Sequence, residues 1–252
     1  MKSLKQVNHH LQFLSNPSKP FAIYPFARQF CASSSSSEIE KSKNSELSLT
    51  QQELTKINLL IPRLCLSDHL TTAIHLTTTS LLTNPPQKSI SFSILIHFLT
   101  SQPDMAKSMS FLTILRHTPQ VHCHLTPITT MLITSYVKKR RPKEALKVYQ
   151  WMQRPGSPCK VERIVYEVLV NRFCGFGLVL EGLRILKDMV AVGFVPKNGL
   201  RRTVYRSLLR EARVGKAVEL NEALYGCFED DNGEGVKKVR ELLDSIIGNW
   251  TE

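Results

Sequence analysis

The sequence predicts an all-α protein built from stacked helical hairpins. Apolar residues recur at steps of three and four along most of the chain, which is the spacing of amphipathic helices. Residues 127–152 and 164–189 also align at a constant offset of 37 residues. Five apolar pairs match: Leu132 with Leu169, Ile133 with Val170, Leu146 with Leu183, Val148 with Ile185, and Met152 with Met189. Since one hairpin cannot bury both of its apolar stripes, we expect a right-handed superhelical solenoid.

The most regular hairpin is joined by a basic elbow. Residues 138–142 read Lys-Lys-Arg-Arg-Pro, and an apolar stripe lies on each side of them. Pro142 has no N–H to donate, so it suits the first turn of a helix, where that donor would have no partner. The elbow therefore predicts the end of one helix and the start of another.

These repeats resemble the pentatricopeptide repeat, the helical hairpin of plant organelle RNA-binding proteins. The resemblance rests on "LITSYVKKRRPKEALKVYQWM" at 132–152 and on "YEVLV", "EGLRILKDM" and "GFVPK" in the next unit. This frame predicts five units, at 126–162, 163–197 and, in more degenerate form, at 54–88, 89–125 and 198–232.

Small residues and a terminal helix complete the predicted stack. Ala145, Gly182 and Ala217 each stand in a second helix, where a small side chain allows neighbouring helices to approach closely. After the acidic break "EDDNGEG", residues 233–252 carry apolar side chains at helical spacing. We expect them to form a helix that caps the last apolar face.

The amino-terminal segment differs in composition from the rest of the chain. Residues 1–37 contain no Asp or Glu, carry four Lys or Arg residues and end in a run of serines. This composition predicts an organelle transit peptide, followed by a polar linker at 38–53. A mitochondrial destination is favoured by "ARQFCAS", with the chloroplast stroma as the alternative and a disordered cytosolic tail as a third possibility.

The overall charge points to a polyanionic partner. The formal net charge is +12, which fits nucleic acid or an anionic membrane surface. The longest apolar segment, at 90–99, is about half the length of a membrane-spanning helix and predicts a buried helix. Six cysteines without a CxxC pair indicate free thiols in a reducing compartment.

No motif of the chain predicts catalysis, a cofactor or a metal. His117, His122, Cys123 and His124 cluster, but no second cluster completes a tetrahedral zinc site. The "CGFG" stretch at 174–177 lacks the Lys-Ser/Thr of a phosphate-binding loop. We therefore expect a non-enzyme.

The resemblance implies that each repeat contacts one base of single-stranded RNA through its fifth and last residues. The fifth residues are Asn58, Ser93, Thr130 and Glu167, and the last residues are Lys88, Leu125, Glu162 and Lys197. Base-reading pairs of this family usually end in Asp, Asn or Ser, and none of these does. Ordinary solvated side chains therefore remain the alternative at these positions.

A run of arginines gives a second predicted RNA contact. Arg202, Arg206, Arg210 and Arg213 lie roughly opposite an apolar stripe formed by Leu200, Val204, Leu208 and Ala212. Guanidinium groups make bidentate contacts with phosphate oxygens, so the run predicts a phosphate-binding face. The alternative is a solvated helix face that Glu211 and Glu219 partly balance.

Short proteins with few such repeats resemble the thylakoid-assembly type, which acts in splicing of organelle group II introns. The resemblance implies a non-catalytic organellar RNA-binding protein whose partners are single-stranded or structured RNA, other splicing factors or a second copy. The rival function is a protein-binding helical scaffold, such as an assembly factor or an organelle ribosome-associated subunit.

Overall fold

The computed structural model describes residues 49–83, 85–86, 88–226 and 234–250, which lie in one compact unit. This part of the chain is helical throughout, with short turns and no strand. The helices are α1 (Gln51–Leu66), α2 (Leu70–Leu82), α3 (Ser93–Ser101), α4 (Ala106–Arg116), α5 (His122–Lys138), α6 (Pro142–Met152), α7 (Arg163–Gly175), α8 (Val179–Ala191), α9 (Asn198–Arg210), α10 (Val214–Gly226) and α11 (Glu234–Gly248). The predicted all-α fold is confirmed, whereas the predicted transit peptide and most of the predicted linker lie outside the described residues.

The first ten helices form five hairpins that stack in sequence order. The helices within each of the hairpins α1–α2, α3–α4, α5–α6, α7–α8 and α9–α10 contact each other. The first helices also contact one another in order, α1 with α3, α3 with α5, α5 with α7 and α7 with α9. The stack therefore has one layer of first helices, and each hairpin buries its apolar face against its neighbours.

Four of the five hairpins turn in the same way. Counting positions in each hairpin from residues 54, 89, 126, 163 and 198, the fifteenth residue has a positive φ in the first, third, fourth and fifth hairpins. These residues are Asp68, Arg140, Gly177 and Ala212. The following N–H donates to the carbonyl five residues back, as from Arg141 to Tyr136 at 2.9 Å, which defines a Schellman turn. Position fifteen of the second hairpin is Pro103, which cannot adopt a positive φ, so the α3–α4 connection differs.

The small residues of the second helices lie where helices cross, as predicted. Ala145 and Ala217 are fully buried. A Cβ atom added at Gly182 would lie 2.9 Å from Sγ of Cys174, closer than side-chain atoms normally approach. This close contact joins α8 to α7 within the fourth hairpin.

The last helix packs against the second helices of the fourth and fifth hairpins. We expected it to cap the last apolar face, and α11 contacts both α8 and α10. Lys187 of α8 forms an ion pair with Asp244 of α11. The outer face of α10 stays exposed at Val214, Val218 and Tyr225.

Candidate nucleic-acid interface

An open groove runs between the first helices of the fourth and fifth hairpins. It has a volume of about 450 Å³. Its walls come from α7 and α9 and comprise Ile164, Glu167, Val168, Asn171, Arg172 and Thr203. The groove combines an exposed aliphatic side chain, an amide, a carboxylate and a guanidinium, so it offers both apolar and hydrogen-bonding contacts to a ligand.

Two of the predicted base-contact residues meet at this groove. Nζ of Lys197 lies 3.5 Å from Oε1 of Glu167 in an ion pair that joins the start of the fifth hairpin to position five of the fourth. Oε1 of Glu167 is buried yet accepts no hydrogen bond within the described part of the chain. Lys197 therefore holds one side of the Glu167 carboxylate, and 17% of the Glu167 side chain stays exposed.

Arg202 and Arg206 continue the same face along α9. They occupy positions five and nine of their hairpin, as Glu167 and Asn171 do on α7. Both arginines are exposed, and neither makes a hydrogen bond or an ion pair with any residue that the structure describes. Their guanidinium groups are therefore free to bind phosphate.

Arg210 and Arg213 have structural partners, which corrects the prediction of a uniform stripe of four arginines. Arg210 donates to the carbonyl of Cys174 at 3.0 Å and to Oγ of Ser207 at 2.9 Å. Arg213 lies beyond the end of α9, where it donates to the carbonyl of Asn249 at 3.0 Å and stacks on the ring of Trp250 at 4.7 Å.

The predicted apolar stripe of α9 is likewise shorter than expected. Leu200, Val204 and Leu208 are buried as predicted. Ala212 is exposed, because it follows the helix and adopts the positive φ of the Schellman turn. The helical pattern therefore ends at Arg210.

The other predicted base-contact residues are not presented to a ligand in the same way. Asn58 holds the loop before α3, since its side-chain amide donates to the carbonyl of Ser89 at 2.6 Å and accepts from the N–H of Ser91 at 2.8 Å. The hydroxyl of Thr130 is buried and has no hydrogen-bond partner in the described structure. Ser93 is exposed at the start of α3, where its hydroxyl lies 3.0 Å from that of Ser91.

Two of the four basic side chains in the elbow also bond to backbone carbonyls of the preceding hairpin. Arg141 donates to the carbonyls of Thr100 at 3.0 Å, Pro103 at 3.0 Å and Gln102, and so stabilises the carboxyl end of α3. Nζ of Lys139 donates to the carbonyl of His97 at 2.6 Å. Partial burial and the nearby Arg141 lower the pKa of Lys139. Lys138 and Arg140, in contrast, are exposed, and their side chains make no hydrogen bond or ion pair with a residue that the structure describes.

Sequence reasoning missed five of the six residues that line the groove and included only Glu167. Ile164 and Asn171 lie at positions two and nine of the fourth hairpin. Their spacing from Glu167 gave the available signal, because residues three and four apart share a helix face. Applying the three- and four-residue spacing to the residue at position five of each hairpin would have identified this face.

Two further features, metal binding and membrane crossing, concern only the residues that the structure describes. No group of three or more His, Cys, Asp or Glu side chains is placed to hold a metal ion there. Among the described helices, none has the length and apolar character needed to cross a membrane.

The sequence model of the pentatricopeptide repeat matches residues 128–156 and 164–194. Two adjacent segments of the chain are therefore similar to this repeat. They correspond to the hairpins α5–α6 and α7–α8, so the α7 wall of the groove lies in a segment that matches this repeat. A comparison with curated proteins gave no match.

Proposed function

We propose that this chain is a non-catalytic pentatricopeptide repeat protein that binds RNA in an organelle. The observations that carry the proposal are the groove between α7 and α9 and, on α9, two exposed arginines without a described partner, Arg202 and Arg206, at the positions that Glu167 and Asn171 occupy on α7. The net charge of +12 adds a long-range attraction for a polyanion.

The groove supplies distinct contacts for the parts of a nucleotide. Arg202 and Arg206 bind phosphate oxygens and fix the strand along α9. Ile164 offers an exposed aliphatic surface to a base, while Glu167 and Asn171 hydrogen-bond base edges. A carboxylate accepts from amino groups and repels phosphate, so Glu167 favours a base with an exposed N–H over the backbone.

The proposed process is RNA processing, such as splicing of a group II intron, and the proposed compartment is the mitochondrion, with the chloroplast stroma as the alternative. The acid-free, serine-rich residues 1–37 support import into an organelle. The few repeats support a role in which RNA shape or partner proteins supply part of the specificity.

The decisive experiment is crosslinking of the full chain to RNA in isolated mitochondria and chloroplasts, followed by sequencing of the recovered RNA. We expect enrichment of one or a few intron-containing transcripts from one organelle. Sequencing the amino terminus of the same purified protein should show that residues 1–37 have been removed. RNA recovery no higher than that of an unrelated basic matrix protein would refute RNA binding.

A protein-binding scaffold is the second candidate function, and the exposed apolar face of α10 favours it. Val214, Val218 and Tyr225 are all exposed on that face. Recovery of a stoichiometric protein partner without crosslinked RNA would support the scaffold over the RNA-binding proposal.

A further inference from the structure

The first described hairpin exposes a residue that all later hairpins bury. Position seven faces the preceding hairpin, and Leu95, Leu132 and Leu169 are 0% exposed there. Leu60 occupies the same position in α1 and is 44% exposed. Leu59, its neighbour on α1, is exposed as well. The outer face of α1 therefore resembles an internal packing surface without its neighbour.

The last hairpin exposes apolar residues at positions that the fourth hairpin buries. Val179, Leu183 and Val190 of α8 are buried, and both α9 and α11 pack on that helix. The same positions of α10 are Val214, Val218 and Tyr225, which are 57%, 39% and 66% exposed. Position twelve, which is buried in the first four hairpins, is the exposed Leu209 in the fifth. Repeat proteins normally end in a polar face, so this apolar end indicates a binding partner.

We propose that copies of this chain associate head to tail, with α1 of one copy packed against α9 and α10 of another as the next hairpin of the stack. The interface buries Leu60 of the first copy against Leu209 and Val218 of the second. Such a contact joins two different surfaces, so each copy keeps one free end.

The polar contacts between hairpins within the chain support this pairing. Lys197, immediately before the fifth hairpin, pairs with Glu167 at position five of the fourth. Glu53, in the first turn of α1, is the residue before position one of the first hairpin and takes the place of Lys197 in the proposed contact, and Arg202 takes that of Glu167. The charges are reversed but remain complementary, and the capping bonds of Glu53 to Thr50 use only Oε2.

A second contact between neighbouring hairpins also supports this pairing, and it lies near the carboxyl end of the first helix. Position ten contacts position twelve of the preceding hairpin twice in this structure, from Ser135 to Thr100 at 2.7 Å and from Ser207 to the carbonyl of Cys174 at 3.4 Å. Position ten of α1 is the exposed Arg63. In the proposed contact its guanidinium meets the carboxyl end of α9, next to the exposed carboxylate of Glu211, where a cation is stabilised.

One charge on this face opposes the contact and limits its strength. Lys56 occupies position three, which packs beside position five of the preceding hairpin, as Ser91 does beside Asn58. It therefore approaches Arg202 of the other copy. We expect a weak interface whose association becomes measurable at micromolar concentrations.

Sedimentation velocity of the purified, nuclease-treated full chain tests the proposal without any dependence on RNA binding. The wild-type mass should increase with protein concentration. Leu60→Lys and Val218→Lys each place a charge in one half of the contact, so each variant alone should remain monomeric and weaken association about tenfold or more. Both residues are partly exposed, so circular dichroism should show unchanged folding.

Mixing the variants distinguishes head-to-tail pairing from other arrangements. Leu60→Lys keeps an intact α10 face and Val218→Lys keeps an intact α1 face, so an equimolar mixture should form a one-to-one dimer and nothing larger. The double variant should join no complex. A monomeric wild type at all concentrations, or self-association lost in Val218→Lys but retained in Leu60→Lys, would overturn the proposal.

Discussion

Replacing Arg202 and Arg206 together with Gln tests their face of α9 as part of the proposed RNA-binding surface. Both side chains are exposed and have no partner among the described residues, so the change removes two charges without breaking an internal contact. Gln has a helix propensity close to that of Arg, and α9 should remain intact. We therefore expect lower RNA affinity at an unchanged melting temperature.

The salt dependence of RNA binding gives the expected size of this loss of affinity. Each phosphate neutralised on a single strand contributes about −0.7 to the slope of log affinity against log salt concentration, so two arginines account for roughly −1.4. Between about 50 and 200 mM salt, the advantage of the wild type over the variant should shrink about sevenfold. Fluorescence anisotropy with a labelled single-stranded RNA, measured across this range, provides the test.

The elbow provides a control with the same change in charge. Lys138 and Arg140 are exposed, so replacing both with Gln removes two charges away from the groove. Arg210, Arg213, Lys139 and Arg141 are unsuitable for this comparison, since their side chains bond to carbonyls of other helices. Equal losses of affinity in the two double variants would mean that only net charge matters, and Arg202 and Arg206 would not form a site.

Three further predictions concern stability. Ala145→Arg should cost about 2–4 kcal/mol in chemical denaturation, because Ala145 is fully buried at a helix crossing; an unchanged midpoint would contradict this. Ala212→Gly should stabilise the fold by about 0.5–1 kcal/mol, since Ala212 has a φ of 57° that glycine adopts without strain, and a lower melting temperature would refute the turn assignment. Burial and the hydrogen bond to Asp188 raise the pKa of Tyr149, so the folded state keeps the proton that the unfolded state loses above about pH 10. Stability should therefore fall as pH rises past that value, and the fall should be shallower in Tyr149→Phe.

The sequence predicted the hairpins because the apolar pattern that produces them is local and repeats along the chain. The 37-residue offset placed Leu132 and Leu169 at equivalent core positions, and both are fully buried. Helix starts were harder to place. Pro127 stands one residue after the predicted boundary at 126, but α5 begins at His122 and continues through this proline. The tertiary packing of Leu125, which is fully buried, outweighs the lost N–H donor of Pro127.

The arginines show where periodicity stops being informative. Spacing alone places Arg206 and Arg210 on one face, but only contacts with a residue far away in sequence separate their roles. Arg210 reaches the carbonyl of Cys174, 36 residues earlier, whereas Arg206 meets no described partner.

The same rule applies at the elbow, where Arg141 occupies position sixteen of the third hairpin and stabilises the end of α3. Arg213 occupies that position in the fifth hairpin, and it bonds to the carboxyl end of α11 instead. A cation at this position is thus a structural contact between hairpins, and its target depends on which helix end lies nearby. On α9, by contrast, Arg202 and Arg206 at positions five and nine are exposed and meet no described partner. The repeat frame gives these two arginines equivalent positions to Glu167 and Asn171, and the three-dimensional contacts separate them from Arg210 and Arg213.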